Sequence, residues 1–174
     1  MPTEFEPKAI LHALNEHEVD YVVIGGVAGI AQGSVLPSFD LDIAYARDST
    51  NLKKLAAVLR EIGATSRGAP ADLPFTPDAR TLKSGSHFTF ETPYGSFDIL
   101  SDPSGAPKYP QLKSAAVTTQ IDGENVLVAS LDHLIAMKES TGREKDEYMA
   151  RNTASSPTRS DYADAASNAS PSRT

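Results

Sequence analysis

The segment "YVVIGGVAGIAQGSVLPSFDLDIAYA", residues 21–46, limits what this chain can fold into more than any other feature. An apolar run, Tyr21 to Ile24, ends in the glycine pair Gly25 and Gly26, and a second apolar run then carries Asp40 and Asp42 one residue apart. In a β-strand, residues two apart share a face, so Asp40 and Asp42 project side by side with Cα atoms about 6.5–7 Å apart, while Phe39, Leu41 and Ile43 face the core. Two carboxylates that close repel each other. A divalent cation relieves the repulsion, and two ions about 3.5–4 Å apart suit the in-line displacement of a phosphoryl group. The alternative is a strand that simply shows its polar side to water. In "GSFDIL", Asp98 is again an isolated acid between apolar neighbours, and a strand carrying it beside the Asp40 strand would complete a triad.

The glycines fit the same chemistry. A glycine turn between strand and helix lets backbone N–H groups approach phosphate oxygens, with Ser34 as a candidate hydroxyl donor. A tight turn with no ligand is the plain alternative. "VVIGGVAG" also resembles the turn of dinucleotide-binding folds, but the G-x-G-x-x-G spacing is not met and the acids form a pair inside the strand.

The remaining chain reads as alternating elements. "EPKAILHALNEHEV" has helical periodicity, a short helix follows the glycines, and Asp48, Ser49 and Thr50 offer caps for a helix whose apolar stripe runs from Leu52 to Ile62 and ends at Gly63. "RGAPADLPFTPDART" reads as a long loop. "HFTFET" and "SFDIL" around "PYG", and "AAVTTQI" and "NVLVAS" around "DGE", read as hairpins. Ser130 caps a last helix, expected to stop at Gly142. The expected class is α/β (α+β), a mixed sheet with flanking helices.

Composition narrows the function classes. The 174 residues suit one domain, placed at residues 1–150, and from Arg151 onward the chain has no Leu, Ile, Val or Phe and no Met, so residues 151–174 read as a disordered Ser/Ala-rich tail. With no cysteine, thiolate zinc sites and cysteine nucleophiles are excluded, and the four histidines show no zinc spacing. A net charge of −7 argues against broad binding to nucleic acid or an anionic membrane. The acidic amino terminus and the absence of long apolar runs predict a cytoplasmic protein without membrane attachment.

A hydrophobic residue, Gly-Gly, about a dozen residues, Asp-x-Asp and a later strand aspartate together resemble the nucleotidyltransferase superfamily related to DNA polymerase β. The order "VVIGGVAGIAQGS…FDLDI", "HFTFETPYGSFDIL" and "VASLDHLIAMKESTGREKD" resembles, more narrowly, the bacterial nucleotidyltransferases of abortive-infection and toxin–antitoxin systems, across residues 8–146. The resemblance implies a minimal nucleotidyltransferase fold and the transfer of a nucleoside monophosphate from a nucleoside triphosphate to a hydroxyl on RNA, protein or a small molecule, using two Mg²⁺ ions. It places metal and catalysis on Asp40, Asp42 and Asp98, and nucleotide binding on Gly25, Gly26 and Ser34. It implies a partner toxin or antitoxin chain as well. Lys138 lies on one helix face with Leu131, Leu134 and Ile135, where its ammonium either reaches the phosphates or stays in water. Arg143, Lys145 and Asp146 resemble the family's basic segment after that helix, a contact for phosphate or acceptor or else a solvated helix end. Relatives often carry an arginine in the loop before Asp-x-Asp, where this chain has Leu36. The alternative is the same fold kept as a noncatalytic nucleotide-binding or antitoxin-like module.

Overall fold

The computed structural model describes residues 4–70, 72 and 77–153, with side chains through Arg143. The elements that frame the sheet start where the sequence supplies a stop or a cap. Helix α1 (Pro7–Glu16) has proline in its first turn, where the missing N–H costs nothing, and buries Ile10, Leu11, Ala13 and Leu14. Strand β1 (Tyr21–Ile24) is buried throughout and runs into α2 (Gly25–Ala31), which begins at the glycines themselves. Strand β2 (Asp40–Tyr45) leads to α3 (Ser49–Glu61), capped by the Asp48 carboxylate accepting from the Asn51 N–H and closed at Gly63 with φ +66°. The short β3 (Thr65–Ser66) and α4 (Ala79–Ser84) follow, then the hairpin β4 (His87–Thr92) and β5 (Gly95–Leu100), α5 (Tyr109–Ala115), the hairpin β6 (Val117–Ile121) and β7 (Glu124–Val128), and α6 (Leu131–Thr153).

One mixed sheet in the order β3-β4-β5-β2-β1-β7-β6 joins these strands. β2 pairs in parallel with β5, β1 pairs in parallel with β7, and the other pairs are antiparallel. β1 and β2 run antiparallel although a helix joins them. At seven residues α2 is too short to return the chain to the strand's starting end, as a parallel crossover requires.

The strand alternation assigns the two faces. Val23, Leu41, Ile43, Phe90, Phe97 and Ile99 form one cluster with Leu11, Leu14, Leu52, Leu55, Leu59 and Leu82 from α1, α3 and α4. Val22, Ile24 and Ala44 point the other way, against Leu112 of α5 and Met137 of α6. Asp40, Asp42, Ser96 and Asp98 belong to this second face by alternation, and they are half-buried where its cover ends.

Four expectations are corrected, the last of them in part. Phe39, expected to face the core, is 74 % exposed, because the ladder starts at Asp40 opposite Ser96 and alternation does not extend to the residue before it. The last helix does not stop at Gly142 but runs on to Thr153. Gly142 has no positive φ, and the helix-favouring Arg143, Glu144 and Lys145 that follow outweigh the roughly 1 kcal/mol cost of an internal glycine. The stretch 67–81, read as a loop, contains the start of α4. The expected disordered tail, 151–174, begins inside α6 at residues 151–153, and the rest of it lies outside the described residues.

A single buried amide ties the ends of the two central strands together. The Asn51 Oδ1 accepts from the Asp20 N–H at 2.7 Å, and its Nδ2 donates to the carbonyls of Asp20 at 3.0 Å and Ala46 at 2.8 Å. Replacing Asn51 with alanine strands the Asp20 N–H and the Ala46 carbonyl in a site only 3 % exposed, while the Asp20 carbonyl keeps the Ala46 N–H at 3.2 Å. The expected cost is about 3 kcal/mol, read as a lower urea midpoint with an unchanged slope. A variant melting within about 0.5 kcal/mol of the parent would contradict this role.

Candidate active site

The register of β2 and β5 decides where the acids meet. Asp42 lies directly opposite Asp98, and Asp40 lies opposite Ser96 one pleat along. Parallel strands about 4.8 Å apart therefore carry all of these side chains on one face. Asp40, Asp42 and Asp98 each bring a carboxylate oxygen within 4.8 Å of the others. Leu41, Ile43, Phe97 and Ile99, each 0 % exposed, lock the opposite face into the core and fix this register.

The electrostatic consequence falls on the middle acid. Burial first, then the charges of Asp40 and Asp98, push the Asp42 carboxyl up to about 7, against partial relief from Arg67. Asp98 is also raised, chiefly by burial, while the Arg67 guanidinium opposes the shift. A set of hard carboxylate oxygens this close fits Mg²⁺ or Mn²⁺ rather than a softer metal.

Gly25 makes room for this arrangement. Its φ is +71°, and a Cβ there would lie 2.3 Å from the Asp42 Oδ2, so both conformation and space require glycine. A Cβ on Gly26 would lie 2.6 Å from the Ser38 Oγ. Ser38 in turn donates to the backbone carbonyl of Asp40 at 3.2 Å and sits 3.4 Å from its Oδ1. The result is an open cleft of about 520 Å³ bordered by Gly26, Ser38, Phe39, Asp40, Arg67, Glu91 and Ser96.

The structure thus brings Gly25, Gly26, Asp40, Asp42 and Asp98 together. Ser34 is exposed, and its Oγ accepts from the Leu36 N–H at 3.2 Å, closing the loop rather than bordering the cleft. Lys138 and Arg143 are exposed on α6 and do not line the cleft, and the Arg143 Nε donates to the Glu139 carbonyl at 3.4 Å within its own helix.

Arg67 is the principal residue that sequence reasoning missed. Its Nη2 donates to the Asp98 Oδ1 at 3.0 Å, and its Nε donates to the Glu91 Oε1 at 2.7 Å. The Ser96 Oγ donates to Glu91 in turn, at 3.0 Å to Oε2. Arg67 follows β3 in a Gly/Pro-rich stretch with no periodicity, so nothing local marks it. Glu91 and Ser96 did carry a signal. The tight turn pairs Thr92 with Gly95, which places Glu91 against Ser96 and Thr89 against Asp98.

No protein-family model matches this chain, and no curated protein matches it. Solved structures do. A Thermotoga maritima protein provisionally assigned as a nucleotidyltransferase shares 16 % identity, with 84 % of this chain and 88 % of that one covered and a TM-score of 0.58. A lincosamide antibiotic adenylyltransferase solved with lincomycin bound shares 17 % identity, with 76 % of this chain and 85 % of that one covered and a TM-score of 0.50. The fold is the nucleotidyltransferase fold. The seven-stranded mixed sheet and its flanking helices are the architecture this chain shares with those nucleotidyltransferase-like neighbours. Among the described residues, no helix is long and apolar enough to cross a membrane.

The raised Asp42 gives a pH signature. The folded chain keeps that proton up to about pH 7, whereas the unfolded chain releases it near pH 4. Folding therefore takes up a proton between those limits, and the Asp42 contribution is most favourable in acid and is lost as pH rises from about 4 to about 7. In metal-free buffer, Asp42→Asn should flatten this part of the melting-temperature profile relative to the parent. Parallel profiles for the two proteins would contradict the assigned cause.

Proposed function

We propose that the chain is a Mg²⁺-dependent nucleotidyltransferase that moves a nucleoside monophosphate from a nucleoside triphosphate to an acceptor hydroxyl. The observation that carries this reading is the convergence of three carboxylate oxygens within 4.8 Å on the open face of a sheet with this fold. Asp40, Asp42 and Asp98 would hold two Mg²⁺ ions, which, when bound, supply the positive charge that offsets charge developing on the phosphates.

The chain's own groups account for the rest. Backbone N–H groups at Gly25 and Gly26, at the start of α2, would hold the triphosphate tail where side chains are absent. Asp98 orients the acceptor hydroxyl and takes its proton as the oxygen bonds to the α-phosphorus. The bond from that phosphorus to the bridging oxygen breaks, and pyrophosphate leaves with the electron pair. Ser34, Lys138 and Arg143 are assigned supporting contacts to phosphate or acceptor on the strength of the family resemblance.

The acceptor is a hydroxyl of RNA, protein or a small molecule. The resemblance over residues 8–146 supports a place in a toxin–antitoxin or phage-defence system with a partner chain, in the cytoplasm. A second reading, nucleotide binding without transfer, is favoured by one observation: Arg67 already occupies an oxygen of Asp98.

Incubation with each α-labelled triphosphate, Mg²⁺ and separate RNA and protein acceptors separates these readings. Transfer of label by the parent, and its loss to background in the Asp40→Asn, Asp42→Asn double variant with the fold retained by circular dichroism, is the expected result. Undiminished transfer by the double variant refutes the assigned site. Nucleotide binding with no labelled product from any acceptor supports the second reading.

A further inference from the structure

The Arg67 guanidinium sits where a cation would be needed. Among the three acids of the cleft it pairs with Asp98, 13 % exposed, at 3.0 Å, and not with Asp40 or Asp42. It is also held from behind. The Glu91 carboxylate accepts from its Nε at 2.7 Å, the Phe90 carbonyl accepts from Nη2 at 3.4 Å, and its backbone N–H donates to the Thr89 carbonyl at 2.9 Å. Glu91 is itself fixed by Ser96 at 3.0 Å. A guanidinium anchored on one side by a carboxylate and aimed at another is preorganised, and little conformational entropy remains to be lost in making the second contact.

The acids are therefore not equivalent toward added cations. Asp40 and Asp42, two residues apart on β2, share a face, and neither is paired with the guanidinium. An ion entering there meets two carboxylates and no competing cation. An ion that also takes Asp98 has to share a carboxylate whose Oδ1 Arg67 already holds, against the repulsion of the guanidinium charge.

We infer that Arg67 holds the place of the second cation in the nucleotide-free protein and so sets the order of metal loading. One ion enters at Asp40 and Asp42 without nucleotide. The second gains Asp98 only when a triphosphate, whose oxygens accept the guanidinium's donors, draws Arg67 away while Glu91 keeps it at the rim of the cleft. Arg67 is thus a positioning residue that couples metal loading to the polyphosphate substrate. Arg67 is a cationic residue that borders the cleft. This inference rests on the two-cation reading of the triad.

Mn²⁺ titration of the full chain, followed by the electron paramagnetic resonance signal of free Mn²⁺, tests it without reference to activity. The parent should bind one ion tightly and a second far more weakly. Arg67→Gln should tighten the second site about five- to tenfold, the range expected when a charge-assisted hydrogen bond no longer has to be broken. A nonhydrolysable triphosphate should raise the parent's second-site affinity and change that of Arg67→Gln less. Arg67→Lys keeps the charge but lacks the planar fork that holds Asp98 and Glu91 in fixed geometry, so it should tighten the second site in the same direction as Arg67→Gln and by less. It also serves as the test should the glutamine variant fail to fold.

Equal affinity at two sites in the nucleotide-free parent would overturn the inference. So would a second site indifferent to both substitutions, or a lysine variant identical to the parent. If the parent binds Mn²⁺ and Asp40→Asn abolishes it, such results remove only the role of Arg67. If the parent binds no Mn²⁺ at all, the triad reading fails with it.

Discussion

Three carboxylates placed by backbone register on one pleated surface repel one another, and the rest of the structure is arranged around that repulsion. Asp42 faces Asp98 across β2 and β5, and Asp40 stands one pleat away on the same side. Neither strand can slip to separate them. A shift of one residue would turn Leu41, Ile43, Phe97 and Ile99 out of the core, and each of these is 0 % exposed. Hydrophobic burial on one side of the sheet thus holds together an electrostatically unfavourable group on the other. Burial of several large apolar side chains, each contributing roughly 1.5–3 kcal/mol, is ample to do so.

The surroundings answer the same repulsion in two ways. Asp42 is pushed toward holding a proton near neutrality, and Asp98 takes a guanidinium. Both are partial solutions that a divalent cation would improve. The bend at Gly25 allows the chain to pass against the Asp42 carboxylate, where any side chain would collide with it. The two faces of the sheet divide the labour: α1, α3 and α4 seal one, while α5 and α6 cover only part of the other. The exposed remainder, from β2 across β5 to Glu91 on β4, becomes the wall of the cleft.

What could be read in the sequence followed from periodicity. Alternation over Asp40 to Ile43 and over Phe97 to Ile99 placed the acids opposite the core, and the hairpin turn at Tyr94 put β4 beside β5. The parallel pairing of β2 with β5 joins strands far apart in the chain, so it could only be supposed. Short elements left little trace: α4 and α5 bury one leucine each, Leu82 and Leu112, too few to show a helical period. Gly142 looked like a helix end because glycine often follows one, but the helix-favouring Arg143, Glu144 and Lys145 carry the helix on. Arg67 was invisible because its partners, Glu91 and Asp98, lie 24 and 31 residues away and meet it only once the sheet has formed.

The central claim is that Asp40, Asp42 and Asp98 together bind divalent metal. Diffraction from crystals of the full chain soaked in Mn²⁺ with a nonhydrolysable triphosphate, measured at a wavelength where manganese scatters anomalously, addresses it most directly. The account predicts anomalous peaks within about 2.0–2.3 Å of oxygens from all three aspartates. Peaks confined to other surface acids, with Arg67 still seated on Asp98 and the cleft empty of metal, would contradict it.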